Sequence, residues 1–242
     1  MMKWDLRFSE QLKWTAELRD NLYNKATFSH KDTLLHIGCS TGELLKEIGV
    51  KYSLKLHGID NDEVKIEYAR VNLEKNMIKA ILEVMDISNN TFNDKAFDIV
   101  ISYFSFLWIK DLRKSFSEIY RILEDKGIFL ILGEPDFGGL VEHPDTSLRM
   151  EIIYNLKNLG ADPAVGRKLN QFFSNQFKVI EHLCISFPWI PNIDKDSMHK
   201  EIDFFQEVLN LKQFDLNLIR SSIDLGNYFL FIPVFCYYLK KI

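Results

Sequence analysis

The run Leu34-Leu35-His36-Ile37-Gly38-Cys39-Ser40-Thr41-Gly42-Glu43, followed by Gly58-Ile59-Asp60, constrains this chain more than any other part of it. A short apolar strand enters a turn bounded by Gly38 and Gly42, and the turn opens a helix. A second strand ends on the Asp60 carboxylate about twenty residues later, the layout of an open α/β sheet whose ligand sits beyond the carboxyl ends of its strands.

The residues of the turn narrow the choice of ligand. A pyrophosphate needs G-x-G-x-x-G, so that backbone and helix N-terminus can approach the phosphates. Here Ser40 and Glu43 occupy the second and third glycine positions, and Glu43 in a first helical turn suits the helix dipole but repels phosphate. No Gly-Lys-Ser/Thr follows, so a Walker loop is excluded as well. Glu43, Asp60 and Asp86, each at a strand or turn end, suit a ligand with positive charge, no phosphate and a ribose diol. S-adenosylmethionine has all three properties.

At these residues the chain resembles motif I of the class I S-adenosylmethionine-dependent methyltransferases, an acidic residue and an apolar residue followed by G-x-G-x-G. His36 stands where the family usually has an acid, and Ser40 replaces the middle glycine, a tolerated variant. The segments Gly133-Glu134-Pro135-Asp136-Phe137-Gly138-Gly139 and Gly160-Ala161-Asp162-Pro163…Gly166-Arg167-Lys168-Leu169 resemble a type-11-like, small-molecule branch. The resemblance implies a Rossmann-like, doubly wound sheet of seven strands with an antiparallel last strand. It implies one methyltransferase domain over residues 1–242, with a helical cap (1–30) and helical insertions (133–176 and 187–226). Gly38, Cys39, Ser40 and Gly42 would cradle the cofactor, and Asp60 with Asn61 would meet the ribose hydroxyls in charge-assisted bonds. Asp86 would accept from the adenine amino group while the Ile87 N–H meets a ring nitrogen. The backbone at Ser102 and Tyr103 would face the sulfonium.

Composition sets the outer limits. The 242 residues carry a formal net charge of -4, with basic residues dispersed, which argues against a nucleic-acid binder working by phosphate neutralisation. Cys39, Cys184 and Cys236 are far apart and match neither a metal spacing nor a disulfide framework, so a reducing cytoplasm is expected. The N-terminus is charged and amphipathic, without the apolar core of a signal peptide. The most apolar segment, 228–239, contains Pro233 and falls short of the roughly 20 residues a membrane span needs.

Periodicity predicts alternating strands and helices, hence a mostly parallel sheet with right-handed crossovers. Strands are expected at 33–37, 54–59, 81–85, 97–102, 128–132, 177–186 and 228–239. A helix over 42–48 follows the first strand. The next starts near Asp62 with Asn61 as its cap, and carries Val64, Tyr68 and Val71 on one face at helical spacing. The helix over 112–123 turns Phe116, Ile119, Tyr120 and Leu123 inward, and Asp125-Lys126-Gly127 turns into strand five. Residues 133–144 read as a loop, 146–159 as a helix, 163–175 as a helix started by Pro163, and 194–210 and 213–223 as helices. Residues 4–24 form one or two amphipathic helices. Leu12, Leu18 and Leu22 pack down, with Trp4, Phe8 and Trp14 as large apolar additions, either as a lid on the cofactor mouth or against the sheet edge.

Arg19 and Tyr23, four apart on one helical face, are candidates to hold the methionine carboxylate. Past strand five, Glu134, Asp136 and His143 lie where this fold places substrate contacts, with His143 and Glu134 as candidate catalytic groups. Phe187, Trp189, Phe204 and Phe205 are expected either to wall an apolar pocket for a small, lipophilic acceptor or to form the core of the insertion or a homodimer face. The reading is a methyl transfer by in-line displacement, which needs alignment and exclusion of water more than acid–base groups. A silent S-adenosylmethionine-binding or regulatory protein of the same fold is the rival, and the missing glycines weigh against a dehydrogenase.

Overall fold

Four apolar strands run parallel at the centre of the computed structural model, which describes residues 8–9, 11–13, 15–30, 32–173, 175–186, 195–208 and 216–242. They are β1 (Thr33–Ile37), β2 (Lys55–Asp60), β3 (Ala80–Val84) and β4 (Phe97–Ser102), in the spatial order β3-β2-β1-β4. Leu34 and Leu35 of β1 and Val100 and Ile101 of β4 are fully buried, as strands covered on both faces must be. The covers are α2 (Glu43–Lys51), α3 (Glu63–Lys75) and α4 (Leu112–Ile122), with α1 (Ala16–Ala26) ahead of β1. Beyond β4 the sheet continues through β5 (Leu123–Pro135), parallel to β4, and then β9 (Pro233–Lys241) and β7 (Phe177–Ser186). β9 runs antiparallel to both its neighbours, giving the expected seven strands with an antiparallel last one. Strand order reverses between β1 and β4, and that reversal opens a crevice at their carboxyl ends.

Several elements differ from the sequence expectation. The cap of α3 is Asp62, not Asn61: its side chain accepts from Val64 N and Lys65 N. The buried face of α3 is Ile66, Ala69 and Leu73, whereas Val64, Tyr68 and Val71 are exposed. Both sets fit a helical period. What decides between them is the turn after β1, on which Asn72 Nδ2 bonds the Thr41 carbonyl at 2.9 Å and Glu43 Oε1 at 2.8 Å, with Ala69 small enough to lie under Gly42. β5 begins at Leu123, which pairs with Phe97. The expected turn at Asp125-Lys126-Gly127 is a bulge within that strand, Lys126 taking φ 63° before pairing resumes at Ile99 and Ile128.

The insertions also differ. Pro163 leads into a 3-10 helix over Gly166–Phe172 in place of an α-helix. The last expected strand is split at Ile232, and its first part, β8 (Phe229–Phe231), pairs antiparallel with β6 (Val141–His143) in a separate ribbon. β6 of that ribbon packs against α5 (Leu148–Asn158), while α6 (Lys195–Val208) packs on α7 (Asn217–Leu225). Trp4, Trp14, Phe187 and Trp189 lie outside the described residues. Phe205 is buried and Phe204 half-buried.

The two candidate faces of α3 are separable by mutation. Ile66→Ala should cost about 2–5 kcal/mol of stability in urea unfolding, the usual loss for a fully buried aliphatic side chain. Val64→Ala, on the exposed face, should stay within about 0.5 kcal/mol of wild type.

Candidate cofactor site

The turn after β1 is built from backbone bonds to β2. Cys39 N donates to the Ile59 carbonyl at 2.9 Å, and Gly42 N closes the turn on the Cys39 carbonyl at 2.9 Å. Gly38 takes φ 68°, and a Cβ there would lie 2.4 Å from Ser105 Oγ, so glycine is required twice over. Ser105 Oγ in turn donates to the carbonyls of Ile37 and Tyr103, each at 3.0 Å, joining the end of β1 to the loop after β4. Ser40 adopts φ 47°, a left-handed conformation, with its N–H bonded to Asp60 Oδ2 at 3.0 Å. The other oxygen of Asp60 accepts from Asp62 N at 3.1 Å, so one carboxylate, 8% exposed, is aimed by bonds from two directions.

Beyond these strand ends lies a cavity of about 460 Å³. Gly38, Cys39, Ser40 and Thr41 line it from β1, Asp60 and Asn61 from β2, and Asp86 and Ile87 from the turn after β3. Asp86 also caps a 3-10 turn, its Oδ1 accepting from Ser88 N at 2.7 Å. From β4 come Tyr103, Phe104, Ser105 and Trp108, and from the N-terminal segment Phe8, Gln11 and Leu12. His36 reaches the cavity as well, 3% exposed, with neither ring nitrogen bonded inside the protein. Burial pushes its imidazole down to about 3, so it is a neutral donor and acceptor where the resemblance expects an acid. Ser40 Oγ and Thr41 Oγ1 are likewise buried without a protein partner. Buried polar atoms are seldom left this way unless something else is to meet them.

The remaining expected site residues lie outside the lining. Arg19 is fully buried and turned towards α2, bonded to Glu47, so its guanidinium is engaged within the protein. Tyr23, 1% exposed, packs edge-on against Tyr52 and beside Phe28, with ring centroids 5.9 and 5.4 Å away. Gly42 caps α2 at φ 80° and Ser102 is wholly buried at the end of β4, so both support the cavity from behind. His143 is exposed in β6, opposite Phe229. Glu134 belongs to β5 opposite Phe235, not to a loop, and is fully buried. Its carboxyl oxygens accept from Leu107 N at 2.9 Å and Ser105 N at 3.2 Å, holding the cavity wall from the far side. Burial raises it to about 8, although the backbone N–H bonds pull the other way. Sequence reasoning did not single out Thr41, Lys65 or Leu159, which also line the cavity. Lys65 was findable, being one turn into α3 behind Asp62, whereas nothing local to Leu159 marks it.

An open, doubly wound sheet with a cavity of this make-up at its switch point defines a Rossmann-like binder of a nucleoside-type cofactor. Residues 35–131 match the family described as Methyltransferase domain. The malonyl-[acyl-carrier protein] O-methyltransferase of Geobacter sulfurreducens is 31% identical over 97 residues, 40% of this chain and 36% of that protein. The enzyme of the same name from Acetivibrio thermocellus is 25% identical over 184 residues, 75% of this chain and 60% of that one. Among solved structures, the MccD protein superposes with a TM-score of 0.64 at 19% identity, over 92% of this chain and 96% of its own, which shows the shared fold. Residues 35–131, fewer than half of the chain, thus resemble a methyltransferase domain, and the likeness to the named relatives extends over part of their length. Its alignments span between about a third and three fifths of the lengths of these curated relatives. Among the described residues no helix is long and apolar enough to cross a membrane.

The buried carboxyl generates a pH prediction. Glu134 holds a proton in the folded protein up to about 8, whereas an unfolded chain releases it near the ordinary glutamate value. Its contribution to stability is therefore greatest in acid and falls as pH rises between those two values. Thermal unfolding of Glu134→Gln should show a shallower decline in Tm from pH 5 to pH 8 than wild type. Equal slopes would mean the carboxyl is ionised throughout.

Proposed function

We propose that this chain transfers a methyl group from S-adenosylmethionine to a small, lipophilic organic acceptor. One observation carries the reading: a single cavity brings Gly38–Thr41, Asp60 and Asp86 together at the ends of three adjacent parallel strands. The donor set fits the cofactor. Asp60 keeps free lone pairs beside its two backbone bonds and is oriented to accept from a ribose diol, with Asn61 beside it. Asp86 and the Ile87 N–H offer the acceptor and donor that an adenine edge needs. His36, Ser40 and Thr41 present unbonded polar atoms to the methionine end.

When bound, the cofactor supplies an electrophilic methyl group on a sulfonium. The protein's part is to align and to keep water out. Tyr103 and Phe104 stack at 4.4 Å between ring centroids and form an aromatic wall. Phe8, Leu12, Trp108, Ile109 and Leu159 extend that apolar side, which favours an acceptor with a hydrocarbon or aromatic body. Neither Glu134 nor His143 reaches the lining, so neither is assigned the role of a base here.

Calorimetry should show binding of S-adenosylmethionine and S-adenosylhomocysteine but not of NAD. Asp60→Ala should weaken that binding at least about tenfold, the worth of a charge-assisted hydrogen bond. Incubating a cell extract with the protein and methyl-labelled cofactor, then searching its metabolites by mass spectrometry, should reveal a labelled apolar product. Tight binding without any labelled product would instead make the chain a silent binder.

A further inference from the structure

Phe8, Gln11 and Leu12 face the cavity, yet their segment belongs to no sheet. A chain of polar contacts holds it in place. Glu47 on α2 accepts from Arg19 Nε at 3.2 Å and also from Nη2. Arg19 Nη1 donates to the Leu12 carbonyl at 2.7 Å and to Thr15 Oγ1 at 2.6 Å. Thr15 Oγ1 donates to Tyr103 Oη at 3.1 Å, and Tyr103 Oη donates to the Gln11 carbonyl at 2.7 Å. The Arg19 guanidinium also lies 5.6 Å from the Tyr103 ring centroid, within cation–π range. A fully buried guanidinium is costly unless its donors are met, and here they are met by the rigid helix α2 on one side and the N-terminal segment on the other. Tyr103 is the junction. Its ring lines the cavity while its hydroxyl holds the segment.

We propose that Arg19 and Tyr103 form a latch that holds Phe8, Gln11 and Leu12 over the cavity, and that a bound nucleoside leaves only when this latch opens. Arg19 is a positioning residue in this arrangement, acting through Thr15 and Tyr103. A ligand that packs on the Tyr103 ring restrains the side chain whose hydroxyl anchors the Gln11 carbonyl, so occupancy and closure favour each other. The identity of the leaving nucleoside rests on the proposed function; the latch itself does not.

Hydrogen exchange on the ligand-free protein tests it directly, comparing wild type with Tyr103→Phe, Arg19→Met and, as a control on the same helix, Lys25→Ala. Lys25 pairs with Glu181 at the surface, away from the latch. Tyr103→Phe loses one hydrogen bond and keeps the ring, so exchange in the peptide covering residues 8–13 should rise about fivefold, and more than about tenfold in Arg19→Met. Protection in β1 and β4 should be unchanged, and Lys25→Ala should match wild type. Stopped-flow release of S-adenosylhomocysteine should accelerate by similar factors. Wild-type exchange in Tyr103→Phe would refute the latch even if Arg19→Met fails to fold. Faster exchange with unchanged release would refute the control of ligand exit. If wild type binds no S-adenosylhomocysteine at all, the proposed function fails, while the exchange data still decide whether the latch exists.

Discussion

The Asp60 carboxylate is the constraint on which the rest of the site depends. It stands at the end of β2, accepts from Ser40 N in the turn after β1, and accepts from Asp62 N at the start of α3. Charge-assisted bonds of this kind are about twice as strong as neutral ones, and here two of them meet on one group. They hold Ser40 in a left-handed conformation that a residue with a side chain adopts reluctantly. They also set where α3 begins, and hence which of its faces meets the sheet. The same bonds leave the carboxylate pointing outward at 8% exposure, so the group that organises the turn is also the group offered to a ligand.

The sheet was legible because its central strands have little alternative. β1, β4 and β7 match the bounds read from the sequence, the first two being short apolar runs buried on both faces. Legibility fails where two local patterns are equally good. On α3 the sets Val64/Tyr68/Val71 and Ile66/Ala69/Leu73 both have helical spacing, and only the tertiary contacts of Asn72 and Ala69 with the first turn separate them. It fails again for the β6–β8 ribbon, whose three-residue strands are far apart in sequence and too short to carry a periodic signal.

The site divides in the same way. Gly38, Cys39, Ser40, Asp60, Asn61, Asp86, Ile87 and Tyr103 line the cavity because strand ends place them there, and strand ends are readable from the chain. Arg19 and Tyr23 were rightly put on one helix, but nothing in their spacing says that Glu47 engages the guanidinium and that Arg19 stays out of the cavity lining. Glu134 shows how much depends on a strand boundary. Ending the strand at Leu132 makes it a loop residue facing substrate, whereas the longer β5 pairs it against Phe235 and turns the carboxyl into the interior.

These placements revise the electrostatics of the cavity as well. Glu43 lines it, but its carboxylate is bonded to Lys46 at 2.6 Å and to Asn72 at 2.8 Å. Asp62 has Lys65 at 3.9 Å, and His36 is neutral. The negative charge left to face a ligand comes chiefly from Asp60 and Asp86, at the ends of β2 and β3. A cationic donor would therefore not be held by a diffuse acidic field, which salt would screen within a Debye length of about 8 Å. Under the proposed function, recognition would fall instead to directed groups: two oriented carboxylates for the nucleoside, and neutral polar atoms, led by the His36 ring, for the charged end. The hollow is selective by the direction of its hydrogen bonds more than by the sum of its charges, and that direction is what the Asp60 bonds maintain.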